Sequence, residues 1–269
     1  MTTPLELQSL AVEIAREAGE LAAHRRREGV NIAATKSALA DIVTEADREV
    51  EELVRRRLHE ARPGDGFLGE ESGGADSETG LTWVVDPIDG TVNYAYGIPA
   101  YAVSIAAVQG SADPATWQAL AGAVFNPAID ELFVAAHGEG ARLVSSIEGE
   151  RALRVAAEAP AAGALVGTGF GYDPATHAAA LDQLATVMPI ARDLRRIGAA
   201  SLDLTAVAAG RLDAYYERGL HPWDMAAGSL IVAEAGGRFA WIPGHPSGRA
   251  MTIAATPALF PRLSEILSA

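Results

Sequence analysis

The stretch Trp83-Val84-Val85-Asp86-Pro87-Ile88-Asp89-Gly90-Thr91 decides how this chain folds. The apolar run at positions 81–85 predicts a fully buried strand. Pro87 has no backbone N–H and therefore interrupts the hydrogen bonding of that strand directly after Asp86. The last three residues of the stretch predict the start of a short helix. A buried strand, a break and a helix start thus follow one another closely.

The same stretch offers chemistry in its side chains and in its backbone. The carboxylates of Asp86 and Asp89 can converge on a hard cation, and the carbonyl of Ile88 can add an oxygen ligand. The amides of Gly90 and Thr91, at the start of the short helix, are suited to hold a phosphate. Asp-Pro and Asp-Gly are also common in turns, so an alternative is that both aspartates only cap a turn.

The surrounding sequence predicts two helices before this stretch and several strands after it. Apolar residues at helical spacing predict an amphipathic helix from Pro4 to about Arg27. Short apolar runs predict strands at 101–108, 119–125 and 132–136, and their hairpin-like spacing indicates a partly antiparallel sheet. A second helix is predicted over the apolar residues Ile42, Val43, Ala46, Val50, Leu53, Val54 and Leu58.

The second half of the chain alternates strands and helices from about residue 148. Strands are predicted at 164–166 and 212–216, and helices at 176–188, 201–209 and 224–235. The glycine-rich segment after the first of these strands lacks the spacing of a dinucleotide-binding loop, so we interpret it as a loop bordering a cleft. No clean linker is present. We expect an α/β fold with mixed sheets in two closely joined parts, residues 1–147 and 148–269.

The composition limits what kind of protein this chain can be. Of its 269 residues, 49% are hydrophobic, but no apolar run is long enough to cross a bilayer. The N-terminus lacks the order of a secretory signal, so a cytoplasmic location is expected. The absence of cysteine excludes disulfides and zinc–thiolate sites. The net charge of −14 disfavours direct contact with nucleic acid.

Three further motifs carry acidic residues at separate places in the chain. Taken alone, Asp224 could be a helix N-cap, and Asp47 could lie on a solvated helix face. A collection of carboxylates is nevertheless costly unless cations neutralise it, so their occurrence together favours a metal site. The motifs are Asp41-Ile42-Val43-Thr44-Glu45-Ala46-Asp47, Gly69-Glu70-Glu71-Ser72 and Trp223-Asp224-Met225-Ala226-Ala227-Gly228.

With these motifs the sequence resembles the inositol monophosphatase family along nearly its whole length. The family pattern W-x-V-D-P-I-D-G-T, followed further along by W-D-x-A-A-G, is present without a gap. Members of the family are lithium-sensitive, magnesium-dependent phosphatases. The resemblance implies a layered α-β-α-β-α sandwich, a homodimer, and hydrolysis of a small phosphate monoester by metal-activated water.

The resemblance also implies which residues hold the metal ions. Glu70, Asp86 and the carbonyl of Ile88 would bind a first Mg²⁺. Asp86, Asp89 and Asp224 would bind a second, and a weaker third ion would lie near Glu70. Oxygen ligands agree with Mg²⁺, whereas zinc more often takes nitrogen or sulfur ligands.

Further roles follow from the same resemblance. Glu70 and Thr91 would orient the attacking water, Asp47 would hold the Thr91 hydroxyl, and Lys36 would lie on a mobile loop that closes over the site. The implied substrate contacts are Lys36, Asp89, Gly90, Thr91, Arg195, Gly198, Ala199, Glu217 and Asp224.

The identity of the substrate depends on a few positions in the second half. Glu217 is the polyol contact in the inositol-specific members, and it is present here. Ala199 stands where many relatives carry Ser or Thr, which removes one hydroxyl contact. Arg195 has two open interpretations, contact with the substrate or contact across a subunit interface.

Relatives with the same metal motifs act on other phosphate esters, so three alternative substrates remain. They are histidinol phosphate, fructose 1,6-bisphosphate and 3′-phosphoadenosine 5′-phosphate. The segment Val92-Asn93-Tyr94 is typical of inositol phosphatases and favours inositol 1-phosphate over the first and the last of these. A different alternative is a binding protein in an RNA or transcription complex, as some bacterial relatives are, but the complete acidic set favours chemistry.

Overall fold

The computed structural model describes residues 2–29, 32–35, 42–157, 162–245 and 247–268. Helix α1 (Pro4–Glu28) begins at a capping box. The amide of Thr3 donates to Glu6 Oε2 at 2.7 Å, and the amide of Glu6 donates to Thr3 Oγ1 at 3.3 Å. These two bonds satisfy amides that a helix start would otherwise leave unpaired. The first helix predicted from the sequence is confirmed.

The second helix begins later than predicted. Its first two predicted residues, Ile42 and Val43, belong to strand β2 (Ile42–Thr44), which pairs antiparallel with β1 (Ile32–Thr35). Helix α2 (Glu45–Ala61) starts after Thr44, which forms a capping box with Asp47. The prediction that Ile42 and Val43 are helical is therefore wrong. The capping residue, and not the apolar period, sets the start of this helix.

An eight-stranded sheet makes up most of the first half. In spatial order it contains β10 (Gly149–Ala152), β9 (Gly140–Ser145), β8 (Glu131–Ala136), β7 (Gln118–Asn126), β6 (Ala102–Gln109), β5 (Leu81–Asp89), β3 (Gly66–Gly69) and β4 (Gly73–Ala75). Only the β3–β5 pair is parallel within this sheet. The predicted strands appear as β5 to β8. The other four strands each contain glycine, which weakens the strand pattern in the sequence.

Strand β5 carries the central stretch, and its pairing with β6 changes register there. Asp86 lies opposite Ser104, whereas Asp89 lies opposite Ala102, so β5 contains one residue more than β6 over this interval. In a regular strand, residues three positions apart point to opposite faces. The bulge at Pro87 removes this difference and lets both aspartates reach one site. The strand therefore continues past Asp86, where the sequence predicted its end.

A five-stranded mixed sheet forms the second half. Its spatial order is β12 (Ala191–Arg195), β11 (Ala164–Thr168), β13 (Ala214–Arg218), β15 (Met251–Ala255) and β14 (Arg238–Ile242). Strand β11 is parallel to β12 and β13, and β15 is antiparallel to β13 and β14. The remaining helices are α3 (Thr91–Tyr96), α4 (His177–Val187), α5 (Ala200–Ala208), α6 (Pro222–Glu234) and α7 (Phe260–Ser268).

Three apolar clusters hold these elements together as layers. Helices α1 and α2 pack on one face of the eight-stranded sheet, where Trp83 and Val85 are buried. Val84 points to the opposite face and packs with α5, α6 and the inner face of the five-stranded sheet. The outer face of that second sheet packs against α7 and against Val187 at the end of α4. The predicted α-β-α-β-α sandwich is confirmed.

The chain passes from the first sheet to the second after strand β10. Strand β10 still pairs with β9 in the first sheet, and the second sheet begins with β11. The change from one sheet to the other thus lies between Ala152 and Ala164, a few residues beyond the expected boundary at 147 and 148. None of the helices in the described part of the chain combines the length and apolarity that a membrane-spanning helix needs.

Candidate active site

A cavity of about 400 Å³ lies where the two halves meet. Its walls come from the end of β3, from β5 and α3, and from the starts of α5 and α6 together with β13. The loop after β11, which the sequence placed beside a cleft, borders it through Gly169, Phe170 and Gly171. Ten predicted site residues line this cavity: Glu70, Asp86, Ile88, Asp89, Gly90, Thr91, Gly198, Ala199, Glu217 and Asp224.

Three carboxylates converge on one point of this cavity. Asp86, Asp89 and Asp224 each offer an oxygen, and these oxygens lie within 4.8 Å of one another. The amide of Ile88 donates to Asp86 Oδ1 at 3.1 Å, and the amide of His221 donates to Asp224 Oδ2 at 2.6 Å. Backbone amides thus fix two of the side chains. In the described residues, none of the three carboxylates has a salt bridge to Lys or Arg.

The electrostatics of this cluster favour a bound cation. Burial raises the pKa of Asp86 well above its usual range, and the charges of Glu70, Asp89 and Asp224 raise it further. Burial likewise raises the pKa of Asp224, with a contribution from Asp89. The pKa of Asp89 is raised to about 6, mainly by burial. Two buried carboxylates and a partly buried one that repel one another are a chemically suitable set for a hard divalent ion.

Glu70 and Ile88 lie beside this cluster. Glu70 follows β3 and lines the cavity, but it is not one of the three residues whose oxygens meet within 4.8 Å. Its charge raises the pKa of Asp86, which shows that it acts on the same site. The carbonyl of Ile88 accepts a hydrogen bond from Thr91 Oγ1 at 3.0 Å.

Thr91 is linked to helix α2 through Asp47. Thr91 Oγ1 lies 3.1 Å from Asp47 Oδ1. Asp47 is fully buried, and its other oxygen accepts hydrogen bonds from the hydroxyl and amide of Thr44, the amide at 2.8 Å. Burial raises the pKa of Asp47 to about 6, against the opposing effect of the Thr44 hydroxyl. The solvated helix face that was the alternative for Asp47 is excluded.

Asp89 is held from the other half of the molecule. Its Oδ1 accepts from the amide of Ala200 at 3.2 Å, and its Oδ2 accepts from both the amide and the hydroxyl of Ser201. These donors occupy Oδ2, so that Oδ1 keeps a lone pair for a cation. The sequence pattern did not identify Ser201 as a partner of Asp89. The sequence feature that could have identified it is a serine in the first turn of a helix that begins with small residues.

Gly90 is required by its backbone and by its neighbours. Its φ is +89°, a conformation that side chains rarely adopt. A Cβ at this position would lie 2.9 Å from the carbonyl oxygen of Ala100 and 3.1 Å from the Cβ of Ala199. Gly90 therefore lets the two halves approach each other closely at Ala199. This close packing adds to the reason the sequence offered, which was phosphate access to the backbone.

The opposite wall of the cavity centres on Glu217. The hydroxyl of Tyr215 donates to Glu217 Oε2 at 2.6 Å, and burial raises the pKa of Glu217. Gly169 is necessary beside it, because a Cβ there would lie 1.7 Å from Glu217 Oε2. The guanidinium groups of Arg196 and Arg249 lower the pKa of Glu217 and so act against burial. This wall carries its own positive charges.

Asp203 also borders this wall, and sequence reasoning missed it. It is 1% exposed, and its Oδ1 has no hydrogen-bond partner in the described part of the chain. Burial raises its pKa well above the usual range, with further contributions from Glu217 and Asp89. Tyr215, Arg196 and Arg249 were missed as well. Their roles depend on contacts between strands that no local motif reveals.

One predicted substrate contact in the described residues lies elsewhere. Arg195 is exposed outside the substrate cavity, where its Nη1 contacts Asp193 Oδ2 at 2.6 Å and its side chain borders a separate groove with Asn126 and Ile197. This position disfavours the interpretation of Arg195 as a substrate contact. Lys36 lies outside the described residues.

Comparisons with known proteins agree with this geometry. The sequence profile of the inositol monophosphatase family matches residues 4–266. The chain is 44% identical to the inositol-1-monophosphatase SuhB of Mycobacterium tuberculosis, covering 95% of this chain and 91% of that protein. It is 40% identical to the Nus factor SuhB of Pseudomonas aeruginosa, covering 85% of this chain and 83% of that relative.

A solved structure agrees as well. The structure of Mycobacterium tuberculosis SuhB superimposes with a TM-score of 0.84 and 44% identity, over 100% of this chain and 98% of that one. The profile, the sequence relatives and this structure all point to the family that the motifs predicted. The chain therefore belongs to the inositol monophosphatase family, whose members are phosphoric monoester hydrolases.

Proposed function

We propose that this protein hydrolyses a small phosphate monoester with the help of Mg²⁺, and that its substrate is inositol 1-phosphate. The observation that carries the proposal is the convergence of Asp86, Asp89 and Asp224 in a cavity whose opposite wall is Glu217. The first group is suited to cations and phosphate, and the second to the hydroxyls of a polyol. One cavity thus has a place for each end of the substrate.

The cation-binding residues of this proposal are Glu70, Asp86, Asp89 and Asp224, with the carbonyl of Ile88. They form an oxygen-only set, which suits two Mg²⁺ ions and a weaker third one near Glu70. When bound, the ions lower the pKa of the attacking water and stabilise the charge on the leaving oxygen. Protein groups supply the remaining tasks.

Thr91 and Glu70 are assigned to the attacking water. Thr91 Oγ1 contacts both Asp47 Oδ1 and the carbonyl oxygen of Ile88, at 3.1 and 3.0 Å. These two acceptors restrict the rotation of the hydroxyl and leave its oxygen free to accept a hydrogen bond from water. The carboxylate of Glu70, on the same side of the cavity, then takes the proton that the water loses.

The leaving alcohol is assigned to the wall around Glu217. Glu217 Oε2 accepts from Tyr215, so the carboxylate keeps acceptor positions for substrate hydroxyls. Arg196 and Arg249 stand near this carboxylate and offset its charge, which suits an uncharged polyol. Gly198 and Ala199 also line the cavity, with their amides and small side chains. Because position 199 is alanine, it offers no hydroxyl to the substrate.

We further propose a cytoplasmic homodimer. Ile129 is an exposed apolar side chain that lines the groove bordered by Arg195, and Tyr96 and Ile98 are exposed apolar side chains that precede Pro99 of the same groove. A second copy of the chain covering this surface would remove it from water, and light scattering would show twice the monomer mass. A role in a transcription complex is the second candidate, because the Pseudomonas aeruginosa relative is named a Nus factor.

The substrate is tested by measuring kcat/KM with Mg²⁺ for four phosphate esters in parallel: inositol 1-phosphate, histidinol phosphate, fructose 1,6-bisphosphate and 3′-phosphoadenosine 5′-phosphate. Inositol 1-phosphate is expected to give the highest value. A higher value for another ester would change the substrate but keep the reaction. Absence of turnover on any phosphate monoester would refute the proposed function and leave the transcription role.

A further inference from the structure

One side of helix α2 carries polar residues that contact Thr91 and the segment after Glu70. Asp47, Glu51 and Arg55 follow one another at intervals of four residues and therefore lie on one side of the helix. Asp47 holds Thr91, as described above. The other two members contact the loop that carries Glu70. None of the tasks assigned so far uses Glu51 or Arg55.

Glu51 is a buried carboxylate with backbone partners. Glu51 is only 2% exposed to solvent. Its Oε2 accepts from the amide of Glu71 at 2.8 Å, and its Oε1 accepts from the amide of Ser72 at 2.7 Å. A carboxylate is expensive to bury, so a fold that retains one needs compensating hydrogen bonds. Here both of its oxygens bind the backbone immediately after Glu70.

Gly69 and Arg55 support the same contact from two sides. A Cβ at position 69 would lie 2.4 Å from Glu51 Oε2, so only glycine lets the loop approach the carboxylate this closely. Arg55 Nη2 donates to the carbonyl oxygen of Gly73 at 3.3 Å, and its guanidinium lies 4.4 Å from the centre of the Phe67 ring. Helix α2 thus holds the loop 70–73 at both its amides and its carbonyl.

We propose that Glu51 is a positioning residue, which fixes the loop 70–73 so that the Glu70 carboxylate faces the cation-binding cluster. Together with Asp47, it makes one side of α2 responsible for both residues that act on the attacking water. The inference rests on the proposed role of Glu70 in cation binding. It assigns no contact between Glu51 and the substrate or the ions.

The variant Glu51→Gln tests this proposal with little change of shape. It keeps one acceptor and places an NH₂ group against a backbone amide. We expect amide hydrogen exchange at Glu71 and Ser72 to become at least about tenfold faster, because one of the two amides loses its acceptor and the NH₂ group repels it, which loosens the segment that carries both. We also expect the Kd for Mn²⁺, measured by titration calorimetry, to rise about tenfold, as for other residues that orient metal ligands.

Two further variants keep the test decisive. Glu52→Gln removes a charge from the next, exposed position of the same helix, and it should change neither quantity. Gly69→Ala disturbs the contact from the loop side and should reproduce both effects, also if Glu51→Gln fails to fold. In both affected variants kcat should fall more than KM for the substrate changes, because the Glu217 wall is untouched.

The possible outcomes separate this inference from the proposed function. If Glu51→Gln and Gly69→Ala bind Mn²⁺ as tightly as the wild type, the positioning role is refuted, even if the amides exchange faster. Asp86→Asn serves as the reference for a lost ligand. If the wild type and Asp86→Asn bind Mn²⁺ equally poorly, the proposed function and this inference are both refuted.

Discussion

The two walls of the cavity contain acidic residues in different surroundings. Asp86, Asp89 and Asp224 face one another, and their pKa values are raised by burial and by the charges of neighbouring carboxylates. Burial also raises the pKa of Glu217, but the charges of Arg196 and Arg249 act in the opposite direction on it. The first wall therefore needs a cation from solution. The second is compensated by the protein itself.

This difference explains how one cavity can bind cations on one wall and recognise hydroxyl groups on the other. A wall that lacks its own positive charge binds external cations, and through them the phosphate. A wall whose charge is already balanced can recognise hydroxyl groups without attracting more ions. The reaction should therefore depend on the first wall and the preference for the alcohol on the second.

The largest effect is expected for loss of a ligand in the first wall. Asp86→Asn or Asp224→Asn should lower kcat/KM on the order of 10³-fold, about 4 kcal/mol in transition-state stabilisation. Without metal, Asp86→Asn should melt at a higher temperature than the wild type near pH 8, since it removes a buried charge from a repelling group. Asp182→Asn, on the exposed side of α4, should change neither value. An unchanged kcat/KM for Asp86→Asn would contradict the assignment.

The stability of the metal-free protein should fall as the pH rises. The pKa values of Asp47 and Asp89 are about 6 in the folded protein, above those of ordinary aspartates, which lie at about 4. Between about pH 4 and pH 6 the folded state therefore binds more protons than the unfolded state, and its free energy of unfolding decreases as they leave. Carboxyls with lowered pKa values, such as Asp65, exert their pH effect mainly below this window.

Magnesium should reverse this loss where the carboxylates are ionised. At about 100 times its Kd, a ligand stabilises a folded protein by about 2.7 kcal/mol. The increase in melting temperature caused by Mg²⁺ should thus be small at pH 5 and larger at pH 8. Melting curves with Mg²⁺ and with EDTA at both pH values measure it. An equal increase at both pH values would indicate that these carboxyls do not hold the ion.

A smaller and selective effect is expected for the second wall. Glu217→Gln replaces a charged acceptor, which typically contributes about 1.5–3 kcal/mol, so kcat/KM for inositol 1-phosphate should fall about 10- to 100-fold. Turnover of p-nitrophenyl phosphate, whose leaving group has no other hydroxyl, should remain nearly unchanged. Equal losses on both substrates would mean that Glu217 acts on the phosphate or the ions and would erase the distinction between the walls.

The smallest effect is expected at the contact that joins the two halves. Ser201→Ala removes one of three donors to Asp89, a contribution of about 1 kcal/mol, so the Kd for Mg²⁺ should rise about fivefold. The preference among alcohols should not change. Ser229→Ala is a suitable control, because that hydroxyl donates to the Ala226 carbonyl within α6. A Kd equal to that of the wild type would show that the two amides alone fix Asp89.

The first wall could be predicted from the sequence more completely than the second. Asp86, Ile88, Asp89, Gly90 and Thr91 are adjacent in the chain, so a single motif contains most of the chemistry. The sequence could not show the bulge at Pro87 that brings two of these aspartates into one site. It also could not show the Thr44 cap that delays the start of α2, because the apolar period continues through it.

The second wall depends on contacts between distant elements. Arg196, Asp203 and Arg249 come from a loop, a helix and the segment before β15, and only the fold brings them near Glu217. In the sequence, Glu51 is likewise indistinguishable from the other charged residues of an amphipathic helix. Only the structure shows its two backbone partners. Local patterns identify ligands that occur in one segment, whereas residues that balance or position them require the packed structure.

The dependence of phosphate release on a divalent cation tests the central claim most directly. Initial rates on inositol 1-phosphate should be measured for the wild type after removal of metal with EDTA, and again after titration with Mg²⁺. We predict that release is almost abolished without metal, returns with saturable dependence on Mg²⁺, and does not return for Asp86→Asn. Undiminished release in EDTA would contradict the claim that the wall of Asp86, Asp89 and Asp224 works through a bound cation.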